Sequence, residues 1–221
     1  MNSLIYLGIL ILSMISIYLD KKLLGNLGLS ITFIIMSALS LLLSFKYVTL
    51  STINLNSNCI SYVTMFTCLY LLLEASPKKE VKELANLNFI LNIFMALMLY
   101  IMTYYTQSLT DTISINMKNV FDTNYRILIV YPLTTLIANY LLIWMYERIK
   151  RLYDNSFITT VTTYLLIGII EGILYTVLAY NKILNDKTII LIILSTYMIR
   201  LIITVIYSFF LGLLSKKKVN L

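Results

Sequence analysis

Seven runs of apolar residues, each close to the length of a membrane-spanning helix, dominate this chain. They cover about 3–19, 27–45, 59–75, 87–105, 127–146, 158–180 and 188–213. A helix needs about 20 mostly apolar residues to cross the hydrocarbon of a bilayer. Runs this long, without two-residue alternation, do not suit barrel strands. The pattern predicts an all-α, polytopic transmembrane helical bundle of about seven spans, one integral membrane domain over 1–221. The third run is short. Glu74 and Ala75 end it before Ser76-Pro77, where a helix stops or restarts.

Composition closes other routes. Only 12% of the 221 residues are charged, about half the share in an ordinary soluble domain. There is no histidine, which removes Ser-His-Asp triads, Cys-His dyads and His-based zinc sites. No Gly-x4-Gly-Lys-Ser/Thr loop is present to bind ATP. No Asp lies mid-span for intramembrane aspartyl proteolysis, and no regular arginine ladder marks a voltage sensor. Cys59 and Cys68 read as an interfacial and a buried small residue. The chain is not expected to be an enzyme, nor to need a cofactor or a metal.

The net charge of +7 follows topology rather than nucleic acid, because the cations sit in short clusters between the runs. The first run has no basic segment before it, unlike a signal peptide, and Lys21 and Lys22 follow it. An N-terminus on the outer side and a C-terminus inside put Lys21, Lys22, Lys78, Lys79, Lys82, Arg148, Lys150, Arg151, Lys216, Lys217 and Lys218 on the inner face. Only Lys46, Lys118, Arg126, Lys182 and Lys187 fall outside. That asymmetry is the one expected of a multi-pass protein of the cytoplasmic membrane. The gap at about 106–126, with Asp111, Lys118 and Asp122, reads as a cap over an outward-facing cavity or as a plain connector. The charged turn from Glu74 to Glu83 reads as a solvated surface or a docking site, and Glu80, Lys82 and Glu83 within it fit the exposed start of a helix leading into the fourth run.

Charge inside a span is costly unless it is paired, wet or functional. Glu171 in the sixth run and Arg200 in the seventh are the two mid-span charges. Three readings stand: a structural ion pair, a joint ligand contact, and snorkelling to the interface. Asn139 shares a helix face with Tyr131, Thr135 and Tyr146, as cavity lining or as interhelical glue. Of the 18 tyrosines, Tyr18, Tyr47, Tyr104, Tyr105, Tyr125, Tyr131, Tyr146, Tyr153 and Tyr180 lie near run ends, where interfacial anchoring accounts for most. Tyr70, Tyr175, Tyr197 and Tyr207 lie deeper, either packed or walling a pocket for a planar ligand.

Four stretches occur in a familiar order. They are Glu74-Ala-Ser-Pro-Lys-Lys-Glu80, Arg126-Ile, Tyr146-Glu-Arg-Ile-Lys150 and Ile193-Leu-Ser-Thr-Tyr-Met-Ile-Arg200-Leu-Ile, with a weaker fifth ending at Lys46-Tyr-Val-Thr-Leu50. Together, over about 27–213, they resemble the queuosine-precursor transporter (VUT) family. Departures concentrate at polar positions: Leu41, Leu43, Tyr70, Leu142, Gly168 and Tyr207 replace polar residues of that family, and Glu171 replaces its Asp. The resemblance implies uptake of a small planar polar metabolite, with 7-deazaguanine-type queuosine precursors as the substrate class. It implies Glu171 and Asn139 as hydrogen-bonding groups, Arg200 as charge balance, Tyr175 and Tyr197 as stacking rings, and Glu74 as a further substrate contact. Expected partners are the small-molecule substrate, the lipid bilayer and either energy-coupling ATPase subunits or further copies of the chain, with no nucleic acid. The rewritten polar set also suits an interaction or assembly subunit that kept the fold and lost the site.

Overall fold

Each apolar run folds as a helix, and the chain reverses direction between successive helices. The computed structural model describes residues 2–50, 53–104, 118, 120–121, 124–153, 155–181 and 183–216. The helices are α1 (Asn2–Leu24), α2 (Asn26–Leu43), α3 (Cys59–Ala75), α4 (Lys78–Met102), α5 (Tyr125–Leu152), α6 (Ser156–Tyr180) and α7 (Asp186–Lys216). The expected cap with Asp111 and Asp122 lies outside the described residues.

Six of these helices are long and apolar enough to cross a membrane, and α3 is not. Its 17 residues reach about 25 Å, short of the ~30 Å hydrocarbon core. The seven expected runs are seven helices, six of them long candidate spans packed around one shorter one. From Cys59 to Leu72 every residue of α3 is buried. Helices α2 and α7 pack along it, α1, α4 and α5 touch it, and Tyr70 Oη on it donates to the Thr160 carbonyl of α6 at 3.3 Å. Ser61, Thr64 and Thr67 spend their protons on carbonyls of α3 itself or of Asn58 just before it. A helix with polar groups on all sides is therefore tolerable at the centre of the bundle.

Sequence periodicity gave no sign of a small antiparallel hairpin between α2 and α3. Strands β1 (Tyr47–Leu50) and β2 (Ile53–Asn56) pair Tyr47 with Asn56 and Leu50 with Ile53. It is tied to three helices: Asn2 Nδ2 of α1 donates to the Thr49 carbonyl at 3.0 Å, Asn56 Nδ2 to the Ser44 carbonyl after α2 at 2.8 Å, and Ser195 Oγ of α7 to the Asn54 carbonyl at 2.9 Å. Leu55 and Asn56 of β2 are buried, whereas Tyr47 and Thr49 of β1 are exposed.

The turn between α1 and α2 rests on glycine. Gly25 has φ 61°, a conformation that L side chains pay to adopt. A Cβ on Gly28 would come too close to the Asp20 backbone carbonyl. At that crossing Asp20 accepts hydrogen bonds from Ser16 of α1 and Thr32 of α2. Farther along, the buried Tyr207 hydroxyl of α7 shares hydrogen bonds with Ser13 of α1 and Thr64 of α3.

The charged turn after α3 is split by Pro77. Lys78 begins α4 directly, with Glu80 in its first turn, where a carboxylate suits the helix dipole. Helix α4 thus starts well before the apolar run does, and Lys78 Nζ lies 2.6 Å from Glu147 of α5.

Candidate functional site

Two side chains on neighbouring helices meet deep inside the bundle. Arg200 Nη1 donates to Glu171 Oε2 at 2.7 Å, and each residue is only 3% exposed. The ion-pair reading is the geometry observed. Snorkelling is excluded, because the guanidinium is held in the interior.

A third element, absent from the sequence reasoning, completes the contact. Arg200 Nη2 donates to Asn58 Oδ1 at 3.0 Å, and its guanidinium lies 3.8 Å from the centre of the Tyr62 ring. Asn58 directly precedes α3. The short helix thus begins at the depth of the ion pair, with its positive end turned toward it. For the same reason Cys59 is fully buried and is not the interfacial residue expected. Asn58 and Tyr62 carry no signal that separates them from capping and packing residues in a lone sequence.

The wall of α6 follows helical spacing. Tyr164, Gly168, Glu171 and Tyr175 recur every three to four residues on one face. A Cβ on Gly168 would stand 3.1 Å from the Tyr164 ring and 3.2 Å from the Tyr197 ring. Glycine therefore lets two aromatic rings close over α6 beside the ion pair. Tyr197 is half-buried, with its hydroxyl on the Leu165 carbonyl at 3.2 Å. A crevice lined by Tyr47, Asn56, Gly168, Tyr175, Tyr197 and Arg200, among others, has a volume of about 10 Å³, room for about one water molecule. The site is closed in this conformation.

From Tyr175 an aromatic row leads both ways. Its ring meets Tyr131 of α5 at 6.3 Å, edge to face, and Tyr180 at 6.3 Å, and Tyr180 meets Tyr47 of the hairpin at 6.0 Å. Tyr131, Tyr146 and Tyr180, expected as interfacial anchors, are instead buried. Their run ends are covered by the hairpin and by neighbouring helices.

Asn139 is fully buried on the same stretch of α5 as Tyr131 and Thr135. Neither of its amide atoms has a hydrogen-bond partner among the described residues. Buried unpartnered amides are uncommon. The Tyr164 hydroxyl and Asn58 Nδ2 are in the same condition. Glu74 stands apart from these residues. It is exposed at the far end of α3, about 24 Å along the helix from Asn58. There it accepts from Tyr146 Oη at 2.9 Å and Ser156 Oγ at 2.6 Å, which joins α3, α5 and α6.

No group of His, Cys, Asp and Glu suited to a metal occurs among the described residues. Residues 56–214 match the model of the family described as Putative vitamin uptake transporter. The match begins at the end of the hairpin and runs to the last turns of α7, leaving α1, α2 and the Lys46-to-Leu50 stretch outside it. No curated protein and no solved structure matches the chain.

Proposed function

The chain belongs to the vitamin uptake transporter family, and from that premise we propose that it carries a small, planar, polar metabolite through a site centred on Glu171 and Arg200. A transporter family agrees with the expectation of a multi-pass membrane protein that is not an enzyme. By the resemblance noted above, the cargo is a 7-deazaguanine-type queuosine precursor or a related base or vitamin. The observation that carries this reading is the Glu171–Arg200–Asn58 contact, with Tyr62, Tyr164, Tyr175 and Tyr197 around it. A carboxylate and a guanidinium side by side accept and donate along one edge of a heterocycle, and tyrosine faces suit its rings.

In this reading Glu171 and Asn139 hydrogen-bond the ligand, Arg200 balances its charge, and Tyr175 and Tyr197 stack on it. Glu74 serves the inner end of the path. The closed crevice is the occluded state between two open ones, and the ligand shifts the population among them. We place the N-terminus and the hairpin on the outer side, so that the Lys21, Lys78 and Arg148 clusters face the cytoplasm. Drive comes from an ion gradient or from ATPase partners.

Thermal unfolding of the detergent-purified protein with a panel of deazapurines, purines and vitamins tests the cargo. A ligand at 100 times its Kd adds about 2.7 kcal/mol if it binds only the folded state. A shift with queuine or its precursors supports the inherited cargo, and a shift with another compound reassigns it. Silence across the panel, together with no uptake by vesicles, favours the assembly-subunit alternative.

A further inference from the structure

A second polar cluster lies in the seam of α2, α4 and α5. Ser37 Oγ accepts from Asn88 Nδ2 at 3.0 Å and from Asn92 Nδ2 at 2.8 Å. The Tyr131 hydroxyl donates to the Ser37 carbonyl at 3.1 Å and stands beside Ser40 and Thr135. In an apolar helix a buried Ser or Thr ordinarily returns its proton to a carbonyl one turn back. Thr64, Thr67, Thr134, Thr163, Thr204 and Ser208 do so here. Ser40 and Thr135 do not. Asn92 Oδ1 and Asn139 Oδ1 have no hydrogen-bond partner among the described residues, and the Ser40 and Thr135 hydroxyls have only the Tyr131 hydroxyl within reach, without a well-formed hydrogen bond to it. All four residues are buried to 2% exposure or less. Pro132, also buried on this part of α5, has no N–H to give the Leu128 carbonyl.

We propose that this cluster binds a sodium ion through Ser40 Oγ, Asn92 Oδ1, Thr135 Oγ1 and Asn139 Oδ1. The donor set is hard and neutral, drawn from three helices. Divalent hard cations bind through carboxylates as a rule, and none of these four side chains is charged, so a singly charged ion is the one it suits. Tyr131 supplies the link to transport. Its hydroxyl stands at the cluster while its ring rests edge to face on Tyr175 at 6.3 Å. An ion drawing α2, α4 and α5 together bears through that contact on the crevice beside Arg200, which is the arrangement a coupling ion needs.

The test needs no cargo. Full-length protein in detergent is unfolded thermally at one ionic strength in sodium, potassium or choline chloride. Sodium should raise the midpoint saturably, potassium by less than half as much, and choline not at all. Thr135→Val should raise the half-saturating sodium concentration at least tenfold, and Asn92→Leu should do the same. Thr135→Ser, which keeps the oxygen, should retain the response. Should Asn92→Leu not fold, the Thr135→Val and Thr135→Ser pair carries the comparison. Equal midpoints in the three salts overturn the site, as does a sodium shift that survives Thr135→Val. An equal response to potassium overturns the assignment to sodium. Thr135 has no part in the proposed cargo contacts, so failure here leaves that reading standing.

Discussion

Arg200 is the residue on which the interior depends most, because it touches α6 through Glu171 and α3 through Asn58 and Tyr62. Removing one partner of a buried ion pair strands the other charge, at a cost of about 3–5 kcal/mol. Glu171→Gln and Arg200→Gln are each expected to lower thermal stability on that scale, and the double variant to recover most of it. The double-mutant cycle in detergent measures the coupling directly. Recovered folding with lost uptake in the double variant assigns the pair to cargo as well as to structure. Intact uptake removes it from the site. Gly168 offers a finer probe. Gly168→Ala pushes a methyl group against the Tyr164 and Tyr197 rings. It should weaken ligand binding on the order of tenfold while leaving the melting midpoint nearly unchanged, as titration calorimetry and a melt together will show.

Among the elements, α1 stands outside the family match and is the most weakly embedded of the long helices. It is held by the Gly25 turn, the Gly28 crossing and the Ser13–Tyr207 contact. Gly28→Ala places a carbon against the Asp20 carbonyl, where the neighbour is backbone and cannot swing away. It should splay α1 from α2 and cost about 1–3 kcal/mol. Protease sensitivity at residues 20–28 should rise with it. The helices themselves were legible because length and apolar content suffice to identify them. The hairpin was not, since Tyr47–Leu50 and Ile53–Asn56 are short and continue an apolar run without a turn signature of Gly or Pro. The start of α4 was legible within two residues, since Glu80, Lys82 and Glu83 read as the exposed first turns of a helix leading into the fourth run, and the structure begins it at Lys78.

For the whole molecule, orientation is the outstanding prediction. Cysteine placed at Lys79 should react with an impermeant maleimide only after cells are opened, and cysteine at Lys46 in intact cells. Cys59 and Cys68 are buried, so they should stay silent in both and leave the background clean. The reverse pattern inverts the topology. At this scale the sequence conveyed the character of the bundle and singled out Glu171, Arg200 and Asn139, with the ion pair one of three readings for the two charges. It did not convey which helix is central, because α3 is neither the most apolar nor the longest. Its place follows from contacts made by α1, α2, α5, α6 and α7 together. Nor did it convey that Glu74 would end up far from the other polar residues, a consequence of α3 separating them by its full length.

The burial of α3 also has a consequence for synthesis. A ribosome releases this helix before α5, α6 and α7 exist, although those helices supply much of its cover and Tyr207 is the partner of its Thr64. At ~5–20 residues per second, the helix waits on the order of ten seconds for its last wall. During that interval it is short, polar on several sides and without its final neighbours. Nascent chains truncated before α7 should therefore hold α3 in the membrane poorly.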